Sequence, residues 1–186
     1  KKNEMIGKLV SEYKVIDTLG KGGMGEVYLG IKEKINRKVA IKYLSPEFTS
    51  SKDTCDRFIN EAKVLSNLSH PNIVGLIDFD EDEKGMYYLM EYVEGESLHD
   101  KIYGFDFKGI KVNEKINILK QILSAFDYMH SKNIIHRDVT PSNIMITNDG
   151  VVKILDFGIS KDKETDLNKT KEGSNIGTPY YKAPEQ

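Results

Sequence analysis

Apolar and polar residues alternate across residues 13–19, the period-two pattern of a strand with one buried face. A tight glycine-rich turn follows at residues 20–25, and 26–30 reads as the returning strand. Residues 38–44 predict a third strand, ended by Ser45-Pro46. The period then changes. Phe58, Ile59, Ala62, Leu65 and Leu68 recur at helical spacing, which predicts a helix over 56–68 with one apolar face. His70-Pro71-Asn72 breaks it. Residues 73–79 and 86–92 predict two more strands, joined by the acidic stretch 78–83, read as a solvated turn with an acidic docking surface as the alternative.

Beyond Glu94 the helical period dominates. Residues 97–103 predict a short helix and 114–131 a long one, with Ile116, Leu119, Leu123, Phe126 and Met129 in a stripe. Residues 144–147 and 151–155 predict a hairpin around Asn148-Asp149-Gly150, a strong turn signal. Residues 161–173 are polar and aperiodic, and read as a loop. The expected class is α+β with two lobes. A five-stranded antiparallel sheet with one helix occupies 1–93, and a mainly helical lobe occupies 94–186. The hinge is expected over 91–95, and junctions of that kind commonly bind small ligands.

Composition narrows the classes. The chain has 186 residues, 39% hydrophobic and 30% charged, which suits a folded globular protein. A net charge of −2 gives no basic field for nucleic acid. No apolar run reaches a membrane span, so no membrane contact is expected from this segment. Cys55 is the lone cysteine, so no internal disulfide can form, and a reducing cytoplasm is expected. The start at Lys1 and the stop after Ala183-Pro184-Glu185 read as cuts in a longer polypeptide.

Four motifs carry chemistry. Gly20, Gly22 and Gly25, followed by Val27, fit G-x-G-x-x-G-x-V. The same run in a dinucleotide fold opens a helix, whereas here it leads into a strand. Glycines capping a hairpin can turn backbone N–H groups toward phosphate oxygens, although an ordinary glycine-rich turn remains open at this point. Lys42, in Val39-Ala40-Ile41-Lys42, can neutralise phosphates, and Glu61 on the following helix is placed to hold its long side chain. Taken singly, both are ordinary solvated charges. Asp138 in His136-Arg137-Asp138 can orient a hydroxyl nucleophile. Asn143, five residues on, and Asp156 in Asp156-Phe157-Gly158 can hold Mg²⁺ against the phosphates of ATP.

As an ordered set, these motifs with Ala183-Pro184-Glu185 resemble a eukaryotic-type Ser/Thr protein kinase, nearest the bacterial members, over residues 13–186. The resemblance implies Mg²⁺-ATP as cosubstrate, with Mn²⁺ as an alternative metal. Asp138 is implied as catalytic base, and Asn143 and Asp156 as metal ligands. Backbone at Glu91 and Val93 should meet the adenine edge, with Met90 as gatekeeper. Val27, Ala40 and Met145 should sandwich the ring, and Leu19 is implied among the nucleotide-binding residues. Leu65, Leu76, His136 and Phe157 resemble the stacked spine that links kinase lobes, a structural role for His136. Arg137 resembles the arginine that binds an activation-loop phosphate, for which Thr170 and Ser174 are the candidates, with Thr165 behind them. Thr178 resembles the residue that contacts the catalytic Asp and shapes the peptide pocket.

Two departures stand out. Most Ser/Thr kinases carry Lys where this chain has Thr140, and losing such a donor can cost ~3 kcal/mol of transition-state stabilisation. Weaker or differently supported catalysis is the expectation. The family also continues beyond Ala183-Pro184-Glu185 into several helices, so this segment alone is expected to fold or turn over poorly and to expose apolar surface along 114–131. The leading reading is a kinase acting on Ser/Thr of proteins, with self-association for trans-autophosphorylation. The parent protein is expected in the cytoplasm, and relatives often carry a membrane span elsewhere. A pseudokinase or nucleotide-binding signalling module is the alternative, and a small-molecule phosphotransferase a weaker third.

Overall fold

The computed structural model describes residues 4–21, 25–104, 109–136 and 139–155. They fall into two compact units, Lys1–Glu94 and Gly95–Gln186.

The first unit is built on an antiparallel sheet. Its strands are β1 (Leu9–Val10), β2 (Tyr13–Lys21), β3 (Gly25–Lys32), β4 (Arg37–Leu44), β5 (Leu76–Asp82) and β6 (Gly85–Glu91), in the order β1-β2-β3-β4-β6-β5. The pattern predicted five strands. The sixth, β1, has two residues, too few to carry a period. It pairs with β2 through a turn in which Ser11 takes φ 53°. Inward positions of the strands give Val15, Tyr28, Val39, Ile41, Tyr43, Tyr87 and Leu89, all buried together with Met5, Val10 and Tyr13. Tyr43 sits among aromatic neighbours, its ring centroid 6.2 Å from Tyr28 and 5.1 Å from Tyr87. Its hydroxyl donates to Asp82 Oδ2 at 2.6 Å.

That contact corrects the reading of the acidic stretch as a turn. Asp78, Asp80 and Asp82 belong to β5, paired with Leu89, Tyr87 and Gly85. An edge strand leaves one side to water, so acidic side chains are tolerated on it and discourage further strand addition. The turn is only Glu83-Lys84.

Helix α1 (Lys52–Ser66) begins four residues before the predicted start at 56. Its polar first turn has no apolar period. It is fixed instead by Ser51, whose Oγ accepts from the Thr54 N–H at 3.3 Å, with Asp53 favourable at the helix N-terminus. Its buried face is Phe58, Glu61, Ala62 and Leu65. The helix ends before His70-Pro71, where the Asn67 side-chain amide donates to Lys63 O at 2.8 Å.

The second unit contains β7 (Gly95–Ser97), α2 (Leu98–Tyr103), α3 (Val112–Ser131), β8 (Ile144–Thr147) and β9 (Val152–Ile154). The expected β8–β9 hairpin forms, and β7 adds to it in the order β7-β8-β9. So this unit is less purely helical than its sequence pattern suggested. Ile118, Ile144, Ile146 and Val152 make its core, with Leu98 and Ile122 against them. Gln121 ties α3 to the hairpin at both ends of one amide. Its Nε2 donates to Gly150 O at 2.9 Å and its Oε1 accepts from the Val152 N–H at 2.9 Å.

Of the predicted stripe on α3, Met129 is buried, Phe126 half-buried, and Ile116, Leu119 and Leu123 are exposed, with Val112; the buried face is instead Ile118, Ala125 and Met129. The helix carries apolar residues on two faces, and β8–β9 cover only one.

Burial and the Asp82 hydrogen bond hold the Tyr43 phenol well above its ordinary 10.0. The neutral phenol therefore favours the folded state at every pH below 10.0, and that contribution is lost as pH rises toward the folded value. Above pH ~10, Tyr43 should steepen the fall of stability by about 1.4 kcal/mol per pH unit. Tyr43→Phe should be less stable at neutral pH, by about 1 kcal/mol. It should also show a shallower alkaline decline, read by urea unfolding across the alkaline range.

Candidate active site

Strand register collects the first set of predicted residues. Val27 lies opposite Lys42, and Lys42 opposite Tyr88. Leu29 lies opposite Ala40, and Ala40 opposite Met90. Directly opposed residues share a sheet face. Hence Val27, Leu29, Ala40, Lys42, Tyr88 and Met90 occupy one face of β3, β4 and β6, the reverse of the tyrosine-rich core.

Lys42 and Glu61 meet on that face. Lys42 Nζ lies 2.8 Å from Glu61 Oε1, and the residues are 4% and 1% exposed. Taking two charges out of water costs several kcal/mol each, so such a pair survives only with close geometry and further hydrogen bonds. Tyr88 supplies one, its hydroxyl donating to the same Glu61 Oε1 at 2.7 Å. Its ring centroid is 5.6 Å from Lys42 Nζ. The sequence reading assigned Tyr88 no role. The available signal was a hydroxyl in an apolar strand, two residues before Met90, because a buried tyrosine needs a partner.

Around the predicted adenine edge, the Glu91 N–H donates to Gly75 O at 2.9 Å. The Gly75 N–H reaches back to Glu91 Oε2 at 3.4 Å. Glu91 is thus clamped at backbone and side chain. Val93, two residues on, is buried. Leu19 and Gly20 lie on β2 and are exposed. Gly25 has a packing reason to be glycine. A Cβ there would stand 1.7 Å from the Tyr43 carbonyl oxygen on β4.

The second unit holds Thr140, Asn143 and Met145. A single 3-10 turn, Pro141–Asn143, leads into β8, with Pro at its start where a missing N–H costs nothing. The Asn143 N–H donates to Thr140 O at 3.0 Å, and the Leu155 N–H donates to Asn143 O at 2.8 Å. Asn143 is therefore pinned to the residue that precedes Asp156 in the chain. His136 is 2% exposed, and its Nε2 lies 3.0 Å from Leu155 O. A carbonyl only accepts, so Nε2 carries the proton there. Its ring stands edge-on to Phe126 at 6.2 Å. His136 is thus buried and hydrogen-bonded. Met145 is half-buried on β8. Gly22, Arg137, Asp138, Asp156, Phe157, Thr165, Thr170, Ser174 and Thr178 lie outside the described residues.

The sequence pattern of the protein kinase domain matches residues 13–186. The chain belongs to the protein kinase family. Among relatives, this kinase chain is similar to the probable serine/threonine-protein kinase PknB of Lactococcus lactis, at 41% identity over 97% of this chain and 29% of that protein. It is likewise similar to the serine/threonine-protein kinase PrkC of Bacillus subtilis, at 38% identity over 98% of this chain and 28% of that one. The chain thus spans under a third of the length of these relatives. Its fold is also that of a solved structure titled PpkA-294 apo form, with a TM-score of 0.77 and 24% identity. That match covers 90% of this chain and 66% of the other. The kinase fold implied by the ordered motifs is the fold observed, with the strand count corrected.

Lys42→Met in this kinase leaves the Glu61 carboxylate buried without its cation and should cost about 3 kcal/mol. Glu61→Leu should cost a similar amount. The double variant should recover much of the loss, because two apolar side chains need no desolvation. Chemical denaturation of the four proteins closes the cycle, and strictly additive losses would contradict the pairing.

Proposed function

We propose that the chain is the catalytic part of a Mg²⁺-ATP-dependent kinase that phosphorylates Ser and Thr of proteins. The observation that carries this is the buried Lys42–Glu61 pair, on the sheet face that also bears Val27, Ala40 and Met90. A lysine held inside by a carboxylate is arranged to meet a phosphate. The apolar residues beside it suit an adenine ring.

In this reading Lys42 takes the ATP phosphates, and Glu61 keeps its side chain extended. Backbone N–H groups from Gly20 to Gly25, Gly22 included, cover the phosphates, with Leu19 at the rim. Glu91 and Val93 offer backbone to the adenine edge, and Met90 limits the space behind it. Val27 and Ala40 would lie against the ring from the sheet. Asn143 and Asp156 would hold Mg²⁺, or Mn²⁺ in its place. An amide oxygen and a carboxylate are the hard oxygen donors such an ion takes. When bound, the ion offsets charge that develops on the phosphoryl oxygens. Asp138 orients the substrate hydroxyl for in-line transfer. Positioning and electrostatics then supply most of the acceleration.

Thr140 offers a hydroxyl where most Ser/Thr kinases carry an ammonium, and that substitution is what favours the second reading, a nucleotide-binding pseudokinase. Arg137 would order the activation loop once Thr170 or Ser174 is phosphorylated, with Thr178 shaping the peptide pocket. Phosphorylation between two copies of the chain is part of the proposal, as is a cytoplasmic location. No helix among the described residues is long and apolar enough to cross a membrane.

Incubating the full-length protein with Mg²⁺-ATP, beside an Asp156→Asn control, tests the reading by peptide mass spectrometry. Phosphate on Thr170 or Ser174 in the wild type alone supports the kinase. ATP binding with no transfer supports the pseudokinase. Thr140→Lys should raise kcat, by up to about 10²-fold, if the missing charge limits transfer.

A further inference from the structure

We propose that Tyr88 is a positioning residue for phosphoryl transfer, its hydroxyl holding Glu61, and through Glu61 Lys42, in place before a nucleotide arrives. The inference rests on the kinase reading above and deepens it.

Tyr88 and Lys42 are register partners on adjacent strands, so both side chains leave the same face toward α1. Both reach Glu61 Oε1, the phenol at 2.7 Å and the ammonium at 2.8 Å. Glu61 accepts and both partners donate, so the contacts reinforce each other on one carboxylate oxygen. The ring is held too. Phe58 lies 5.1 Å from it, tilted by 37°, and Phe58 is one helical turn before Glu61 on α1. Helix α1 therefore grips one side chain of β6 at two points, its body through Phe58 and its tip through Glu61. Tyr88 and Phe58 are 1% and 0% exposed, so water does not compete for either contact.

The arrangement has a chemical use. Lys42 must turn part of its charge toward phosphate without abandoning the carboxylate that orients it. A second donor on Glu61 keeps that carboxylate in its rotamer while the lysine is shared. A tyrosine that merely satisfies its own hydroxyl would have no such effect on kcat/KM for ATP.

Tyr88→Phe keeps the ring and the Phe58 contact and removes only the donor. In the full-length protein with Mg²⁺-ATP and a basic protein substrate, it should lower kcat/KM for ATP about tenfold. The change should lie mainly in KM for ATP, with KM for the protein substrate unmoved. In a Glu61→Ala background the same substitution should do nothing further, since the hydroxyl acts through Glu61. Kinetics within twofold of wild type, or losses that add in full, would overturn the proposal. Amide exchange in the nucleotide-free protein gives a readout that needs no catalysis. Residues 52–66 should exchange at least about fivefold faster in Tyr88→Phe, with residues 112–131 unchanged. Unchanged exchange across α1 overturns the hold on Glu61 whatever the activity. A wild type that transfers no phosphate removes the kinase reading instead, and exchange alone then decides whether Tyr88 secures the helix.

Discussion

A lysine ammonium and a glutamate carboxylate, both nearly cut off from water, join a central strand to the helix beside it. Much of the first unit follows from making that pair tolerable. Neither charge could stay buried alone. The pair needs β4 and α1 at a fixed separation and β6 in register, so that a phenol arrives at the same oxygen. It also needs α1 to present Glu61 inward, from a face otherwise made of Phe58, Ala62 and Leu65. A polar residue in the middle of an apolar helix face is costly for folding, and it is the feature that commits the unit to one arrangement.

The second unit satisfies its polar groups differently. Among its described residues, backbone groups, the Gln121 amide and the Ser97 and Thr147 hydroxyls carry these contacts, and the Lys101–Glu96 pair is partly exposed. Gln121 closes the β8–β9 hairpin from α3, and the His136 ring and the Asn143 carbonyl both bond to Leu155. These bonds fix the chain on either side of residues implied in catalysis. The fold there is set by small polar contacts between segments close in space and distant in sequence.

The strands and the long helices were legible because they alternate or repeat with a buried face. What escaped was decided by pairing or by polar contacts. The polar first turn of α1 depends on the Ser51 cap, and β5 runs through an acidic stretch because Tyr43 and the edge position accept it. On α3 the apolar residues could be counted, but the choice of face came from β8 and β9. Within the site, Lys42 and Glu61 were found as an ordered pair, and the structure puts them in contact. Tyr88 was missed because no motif marks it. Its importance comes from lying opposite Lys42 across two strands that are distant in sequence.

Gly25 shows how a signature residue can outlive the chemistry with which it is associated. Its lack of a side chain is demanded by the Tyr43 carbonyl across the β3–β4 ladder, a contact internal to the sheet. A descendant that had ceased to bind nucleotide would remain under the same steric pressure there. Persistence of that glycine therefore reports on an intact sheet. Evidence of retained chemistry has to come from residues whose only constraint is the ligand.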